Sequence, residues 1–246
     1  MFESDDVVRA FEARPNGDTR ERILDAAERL FVERGFEATT MRMITAAAGA
    51  NLAAVNYHFG GKEALVHAVF RWRLTWLNHE RLRELASYEA KAKGGPLKPS
   101  KVLDAFFGTS LRLAADTEHG GHTFMRLLGR TYSDPNEFVR KFLAEEYAEV
   151  VERFTGALYR ALPDMPRSEI LWRFHFMLGA MAYALAGTDA LRIVGDNAAE
   201  DDPKVMAARL MSFLLGGLRA PLPESVSKKA AAKGGRRAAG ARRKRD

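Results

Sequence analysis

The sequence predicts an all-α fold, and three observations carry that prediction. The nine prolines, Pro15, Pro96, Pro99, Pro135, Pro163, Pro166, Pro203, Pro221 and Pro223, separate long proline-free intervals. Proline inside a helix removes a hydrogen bond and clashes with the preceding turn, so helices are expected between these positions. The intervals are rich in Ala, Leu, Glu, Arg and Met, which favour helix, and alternation of Val, Ile and Thr of strand type is nearly absent. About nine helices are expected.

The first helix follows Asn16-Gly17-Asp18-Thr19. Either Asp18 or Thr19 can cap it, and Glu21 stands three residues after Asp18 in a capping-box arrangement. Ile23, Ala26, Ala27, Leu30 and Phe31 recur at steps of three and four, which makes one buried stripe. Gly35, after the late cation Arg34, is expected to end it. A short helix then runs from Thr39-Thr40 to Ala48, and a turn at Gly49-Ala50-Asn51 leads to a second short helix ending near Phe59. Gly60-Gly61 breaks the chain before a long helix starting near Lys62. Lys93 to Ser100, with two glycines and two prolines, reads as a surface loop. Later helices are expected at about 101–117, 122–132, 136–162, 167–190 and 203–218. From Ala220 to Asp246 the chain is dominated by Ala, Gly, Lys and Arg and is expected to be disordered.

The stretch from Thr40 to Phe59 has helix–turn–helix dimensions: two helices of about eight residues joined by a turn containing Gly49. Ile44, Ala47, Val55 and Phe59 can form the seam against the first helix. Spacing alone leaves a helical hairpin with no nucleic-acid role equally open. Leu52 to Phe59 contains no Lys, Arg, Asp or Glu, which is unusual for a solvated face and suits a helix that reads groove shape and methyl groups. Leu52, Ala53 and Ala54 can approach thymine methyls, and Asn51 or Asn56 can bond an adenine edge. Arg42 is the natural guanine contact. Thr40, Tyr57, His58 and Lys62 carry a hydroxyl, a phenol, an imidazole and an ammonium at helix edges, which suits phosphate contact. For Tyr57 and His58 plain packing at the helix corner is the alternative.

The wording itself goes further. Ala38-Thr39-Thr40-Met41-Arg42-Met43-Ile44, Ala48-Gly49 and Asn51-Leu52-Ala53-Ala54-Val55-Asn56-Tyr57-His58-Phe59-Gly60-Gly61-Lys62-Glu63 closely resemble the DNA-binding domain of TetR-family repressors over about residues 18–68. The run from Asn51 to Gly60 looks like the branch that includes PsrA-type, fatty-acid-responsive regulators. The resemblance implies a dimer on a palindromic operator and a larger helical domain that binds an inducer and releases the DNA. It also implies a DNA contact at Arg42 and phosphate contacts at Thr40, Tyr57, His58 and Lys62. Relatives commonly have Ser where Gly61 stands, and Gly is a weaker cap by only a few tenths of a kcal/mol. The expected organisation is an arm over 1–17, the helix–turn–helix domain over 18–63, a ligand-binding and dimerisation domain over 64–219, and a basic tail over 220–246.

The helix from Arg167 is apolar on two faces, with Phe174, Leu178, Met181 and Leu185 on one and Trp172, Phe176, Gly179 and Tyr183 on another. A helix apolar all round is buried on both sides. The resemblance implies that it pairs with the last helix in a four-helix dimer interface, for which Phe174, Leu178, Met181, Leu185, Leu210, Phe213 and Leu214 are the candidates; a monomeric core helix is the alternative. Aromatics concentrate between Phe106 and Tyr183. Most are core, and a subset is expected to line an apolar cavity: Phe107, Phe124, Leu128, Tyr132, Phe142, Trp172 and Phe176. Arg126 and Arg130, on the helix of Phe124 and Leu128, either meet a ligand carboxylate or phosphate or are simply solvated or ion-paired. A fatty acid or acyl-CoA is the ligand that the resemblance suggests first.

The chain has 246 residues, 47% hydrophobic and 28% charged, which fits a globular protein and neither a disordered chain nor a fibre. The absence of cysteine excludes disulfides, a thiol nucleophile and Cys-ligated metals. The longest uncharged run near the apolar centre, Phe174 to Thr188, is shorter than a membrane span. With no apolar signal core near Met1, a cytoplasmic protein is expected. No nucleophile elbow, phosphate loop, dinucleotide fingerprint or metalloprotease motif occurs, so an all-helical enzyme is the weaker class and no cofactor is expected. His119 and His122 flank a Gly-Gly turn without a third ligand, so no metal is expected either.

The formal charge of +6 is unevenly placed. Nine Lys and Arg against the single acid Asp246 lie beyond Val226, so the tail carries +8 and residues 1–225 carry −2. Net charge therefore says nothing for DNA binding by the body. A DNA-coating protein working through the tail is a rival reading, but the tail does not explain the helix–turn–helix. Its expected part is salt-sensitive, sequence-blind attraction. Deleting residues 226–246 is expected to flatten the salt dependence of DNA binding while sparing operator preference; loss of all specific binding would contradict this division.

Overall fold

The structure is a computed structural model that describes residues 18–117, 120–132, 137–187, 202–224 and 226, apart from the Phe138 side chain. The expected arm over 1–17, His119, residues 188–201 and the tail from 227 onward lie outside the described residues. Among those described there are nine helices and no strand. They are α1 (Thr19–Ala38), α2 (Met41–Ala48), α3 (Leu52–Phe59), α4 (Lys62–Lys91), α5 (Pro99–Ala114), α6 (Gly121–Thr131), α7 (Glu137–Ala161), α8 (Arg167–Leu185) and α9 (Pro203–Arg219). None is long and apolar enough to cross a membrane.

Asp18 caps α1, its carboxylate accepting from the Glu21 N–H at 3.0 Å. Gly35 kinks α1 rather than ending it: φ of +81° breaks the helical path, and one more turn carries the chain to Ala38. The buried Thr39 hydroxyl secures this corner by donating to the Gly35 and Leu30 carbonyls, at 2.7 and 3.2 Å. The stripe of α1 is wider than Ile23, Ala26, Ala27 and Phe31, since Leu24 and Glu28 are buried with it while Leu30 is half-covered.

Two features of the larger domain were not legible in periodicity. Helix α5 begins at Pro99, whose missing N–H costs nothing in a first turn. Its middle, Asp104–Gly108, is a π turn in which the Thr109 N–H reaches the Asp104 carbonyl. The core there is an aromatic cluster: Phe106 lies 4.9, 5.1 and 5.0 Å from Phe107, Phe154 and Phe174, mostly edge to face. The start of the expected disordered segment is also ordered. Arg173 on α8 donates to the Gly217, Leu218, Ala220 and Pro221 carbonyls while its Nε pairs with Glu169, so the exit of α9 is tied to α8.

Candidate nucleic-acid interface and ligand cavity

Helices α2 and α3 are held by matched caps. Thr40 Oγ1 accepts from the Met43 N–H at 3.3 Å and Asn51 Oδ1 from the Ala54 N–H at 2.7 Å. Gly49, at φ of +58°, closes α2 in the left-handed conformation, and Ala50 N–H returns to the Thr45 carbonyl at 3.0 Å. Ile44, Ala48, Val55 and Phe59 point into the core with α1. The seam therefore uses Ala48 where the sequence suggested Ala47, which is exposed.

What remains outward is an uncharged face of α3. Leu52, Ala53, Asn56, Tyr57 and His58 are all exposed, Tyr57 at 86%, and the Tyr57 and His58 rings pack edge to face at 5.2 Å. The Tyr57 ring is thus turned away from the core and rests against its neighbour His58. Arg42 is exposed in the first turn of α2, on the same helix–turn–helix unit. Two candidates are differently placed from the expectation. The Asn51 carbonyl oxygen is occupied as the α3 cap, so Asn56 is the asparagine with a free amide for an adenine edge. Lys62 donates from Nζ to the Glu37 carbonyl at 3.3 Å, anchoring α4 to the end of α1; a phosphate contact from it would compete with that bond.

The ligand candidates separate more sharply. A cavity of about 240 Å³ lies among α5, α6, α7 and α8, with Phe106, Tyr132, Arg140, Leu143, Tyr147 and Leu178 in its wall. Of the residues expected to bind ligand only Tyr132 belongs to it. Phe107, Phe124 and Leu128 are fully buried core. Phe142 is covered by His67, stacked at 4.1 Å, whose pKa is lowered chiefly by its burial and then by Arg71. Arg126 turns its buried Nε toward Gly187, where a Cβ would come within 2.9 Å. Arg130 points away from the cavity and bridges the two domains: it donates to the Val32 carbonyl on α1 and, at 3.4 Å, to that of Ala186 past the end of α8.

Trp172 and Phe176, expected in the pocket, stand on the outside of α8 at 59% and 63% exposure, 5.6 Å apart. The expected dimer contacts Phe174, Met181, Leu185 and Leu214 are instead buried in their own protomer, and Leu178 faces the cavity. Helical phase explains the exchange. Phe174 packs on Phe106 and Phe107, which turns Trp172, Phe176, Gly179 and Tyr183 outward on the opposite face. Phe213 on α9, 68% exposed, is the expected contact that does face outward, with Gly216 and Gly217 open beside it, while Leu210 is half-buried.

Residues that the sequence did not flag control the electrostatics. Arg73 on α4 is fully buried and pairs with buried Glu28 on α1 at 3.1 Å. Arg81, also fully buried, sits behind the cavity wall. Tyr132 is held protonated: burial raises its pKa well above the usual phenol value, Tyr147 adds to this, and Arg81 pulls the other way. Only an i,i+4 or neighbouring-helix pairing known in advance would have singled out these arginines. Among the described residues no group of three or more His, Asp or Glu could hold a metal ion, and His119 lies outside them.

Comparison with known proteins places these two units. Residues 23–69 match the family described as bacterial regulatory proteins of the tetR family, and residues 104–217 match the tetracyclin repressor-like C-terminal domain. The HTH-type transcriptional regulator AcrR of Shigella flexneri is 38% identical over 80 residues, 32% of this chain and 35% of its own. The HTH-type transcriptional repressor AcnR of Corynebacterium glutamicum is 41% identical over 54 residues, 22% of this chain and 29% of its own. The chain thus aligns with about a third of the length of these curated relatives. Among solved structures, the fatty acid degradation regulator FadR from Bacillus halodurans superposes with a TM-score of 0.61 at 16% identity, over 85% of this chain and all of that one. The ketosteroid transcriptional regulator KstR2 of Mycobacterium tuberculosis gives 0.58 at 19%, over 83% and 97%. At these identities the two structures establish the fold.

Proposed function

Because the chain belongs to the TetR family of bacterial transcriptional regulators, we propose that it is a repressor that binds a palindromic operator as a homodimer and leaves it when a small apolar effector enters the α5–α8 cavity. The observation that supports operator reading best is the outward, uncharged face of α3 beside exposed Arg42. In this reading Arg42 contacts a guanine, Asn56 an adenine edge, and Leu52 and Ala53 thymine methyls, while Thr40, Tyr57 and His58 hold phosphates. The dimer forms through the outward faces of α8 and α9, where Trp172, Phe176, Tyr183 and Phe213 are exposed and Gly179, Gly216 and Gly217 allow close approach. A function on DNA places the protein in the cytoplasm.

Release follows from a shared helix. The C-terminal end of α6 supplies Thr131 and Tyr132 to the cavity wall, and Arg130 between its last turns reaches α1. An effector that displaces this end of α6 shifts the support of α1, and with it the spacing of the two α3 helices. A fatty acid is the first effector class in this reading, from the likeness of the α3 wording to fatty-acid-responsive regulators.

Arg42→Ala is expected to weaken operator binding by about 1–3 kcal/mol and to relax preference at one base pair per half-site. Gel shifts on the chain's own promoter and on point-substituted sites measure both. Unchanged affinity and unchanged preference would remove Arg42 from the interface.

A further inference from the structure

Behind the cavity wall lies a buried positive charge that no carboxylate among the described residues balances. Arg81 is fully buried on α4. Its guanidinium donates to the Phe106 carbonyl at 3.3 Å, Asn78 Oδ1 at 3.1 Å and Ser110 Oγ at 2.7 Å. All three acceptors are neutral, and no carboxylate among the described residues stands within ion-pairing distance. A buried cation without an anion is costly, and that cost falls when an anion arrives nearby.

The π turn of α5 brings this charge to the cavity. It presents the Phe106 carbonyl to Arg81 and sets the Phe106 ring 3.9 Å from the guanidinium carbon, with the Tyr147 ring 5.5 Å from it. Both rings face the cavity, so the positive charge lies about one ring behind its wall. Tyr147 is 7% exposed, and its buried hydroxyl has the Tyr132 phenol as its polar neighbour, ring centres 6.5 Å apart, so that its own O–H proton is left to offer. At the rim, Arg140 is exposed and carries no ion pair among the described residues. The rest of the wall is Leu143, Ala144, Val151, Leu178 and Thr131, whose hydroxyl is spent on the Leu127 carbonyl.

We propose that this cavity binds a compact apolar carboxylic acid, whose carboxylate accepts a hydrogen bond from the Tyr147 hydroxyl between the positive charges of Arg81 and Arg140. The inference rests on the cavity being the effector site and narrows the effector. Some 240 Å³ is room for about eight water-sized groups, at ~30 Å³ each. That suits an acid of about eight to eleven non-hydrogen atoms, and the thioester of an acyl-CoA has no acyl carboxylate to offer Tyr147. A neutral molecule of the same shape would leave the field of Arg81 unused, so charge, rather than chain length, is the selective property.

Calorimetric titration of the full chain without DNA tests this with octanoate, 3-phenylpropionate, 1-octanol and octanoyl-CoA. At least one of the acids is expected to bind about tenfold or more tighter than 1-octanol, and octanoyl-CoA no tighter than octanoate. Tyr147→Phe, which keeps the ring and the packing, is expected to weaken the bound acid about tenfold and 1-octanol by less; its thermal midpoint confirms that it folds. Arg140→Ala should weaken the acid without affecting 1-octanol. The proposal is overturned if 1-octanol binds as tightly as the acids, if neither acid binds below millimolar concentration, or if Tyr147→Phe leaves acid binding unchanged. Release of operator DNA is read separately. An acid that binds and depends on Tyr147 but never displaces DNA upholds the site and removes the effector reading, whereas release by 1-octanol alone keeps an effector and overturns the acid.

Discussion

Phe176→Glu is expected to leave each chain folded, to convert the dimer to monomers, and to lower operator affinity by at least about a hundredfold. The wild-type ring is 63% exposed, so replacing it removes little from the protomer's own core. In a twofold interface both subunits use the same patch, so one substitution introduces two carboxylates into an apolar contact that includes Trp172. Like charges so placed cost several kcal/mol. A monomer then holds one half-site where the dimer holds two, and most of the margin between specific and non-specific binding, typically 10³-fold or more, is lost. Light scattering should return the mass of one 27.4 kDa chain. Met181→Glu is the contrast: Met181 is buried within the protomer, so a carboxylate there should unfold the chain rather than merely separate the subunits. A Phe176→Glu protein that remains dimeric would show that the subunits meet elsewhere.

Glu28→Ala is expected to cost about 3–5 kcal/mol of stability, among the largest single effects available on this surface-poor pair. Glu28 and Arg73 are both buried and joined at 3.1 Å, and Arg73 also lies over the Trp72 ring at 4.3 Å. Removing the carboxylate leaves the guanidinium in the core without it. The double substitution Glu28→Leu with Arg73→Met replaces both charges by apolar groups and should recover most of the loss. Urea unfolding at one fixed protein concentration compares the three proteins, because dimerisation makes apparent stability depend on concentration. The pair joins α1 to α4, so its loss should also loosen the DNA-binding domain. A cost below about 1 kcal/mol for Glu28→Ala would mean that the ion pair is not what holds α1 in place.

The N-terminal domain was legible because local rules determine it. Asp18, Thr40 and Asn51 are caps that the sequence announces, Gly49 takes the positive φ that a short turn needs, and the apolar spacing of α1 and α3 gives their inner faces. Even there Asn51 shows a limit. One oxygen can serve a backbone N–H or a base edge, and a sequence does not say which. The α8 helix shows the larger limit. An all-apolar helix has no phase of its own, so residues 174 and 176 are equally good core candidates until the aromatic cluster of Phe106 and Phe107 selects one.

The cavity was illegible for a related reason. Its wall is drawn from four helices far apart in sequence, and its one useful irregularity, the π turn at Asp104–Gly108, leaves no periodic trace. Arg81 and Arg73 read as ordinary solvated positions on a long helix. Only the tertiary packing shows them enclosed.

The central claim is that the helix–turn–helix unit reads DNA sequence as a twofold pair. Selection of bound duplexes from a random pool by the full chain at about 0.15 M salt, followed by titration of the selected site against a scrambled one, tests it most directly. The account predicts an inverted repeat bound about 10³-fold or more tighter than its scrambled counterpart. Equal affinity for the two, with no inverted repeat enriched, would contradict it and leave only the sequence-blind attraction of the basic tail.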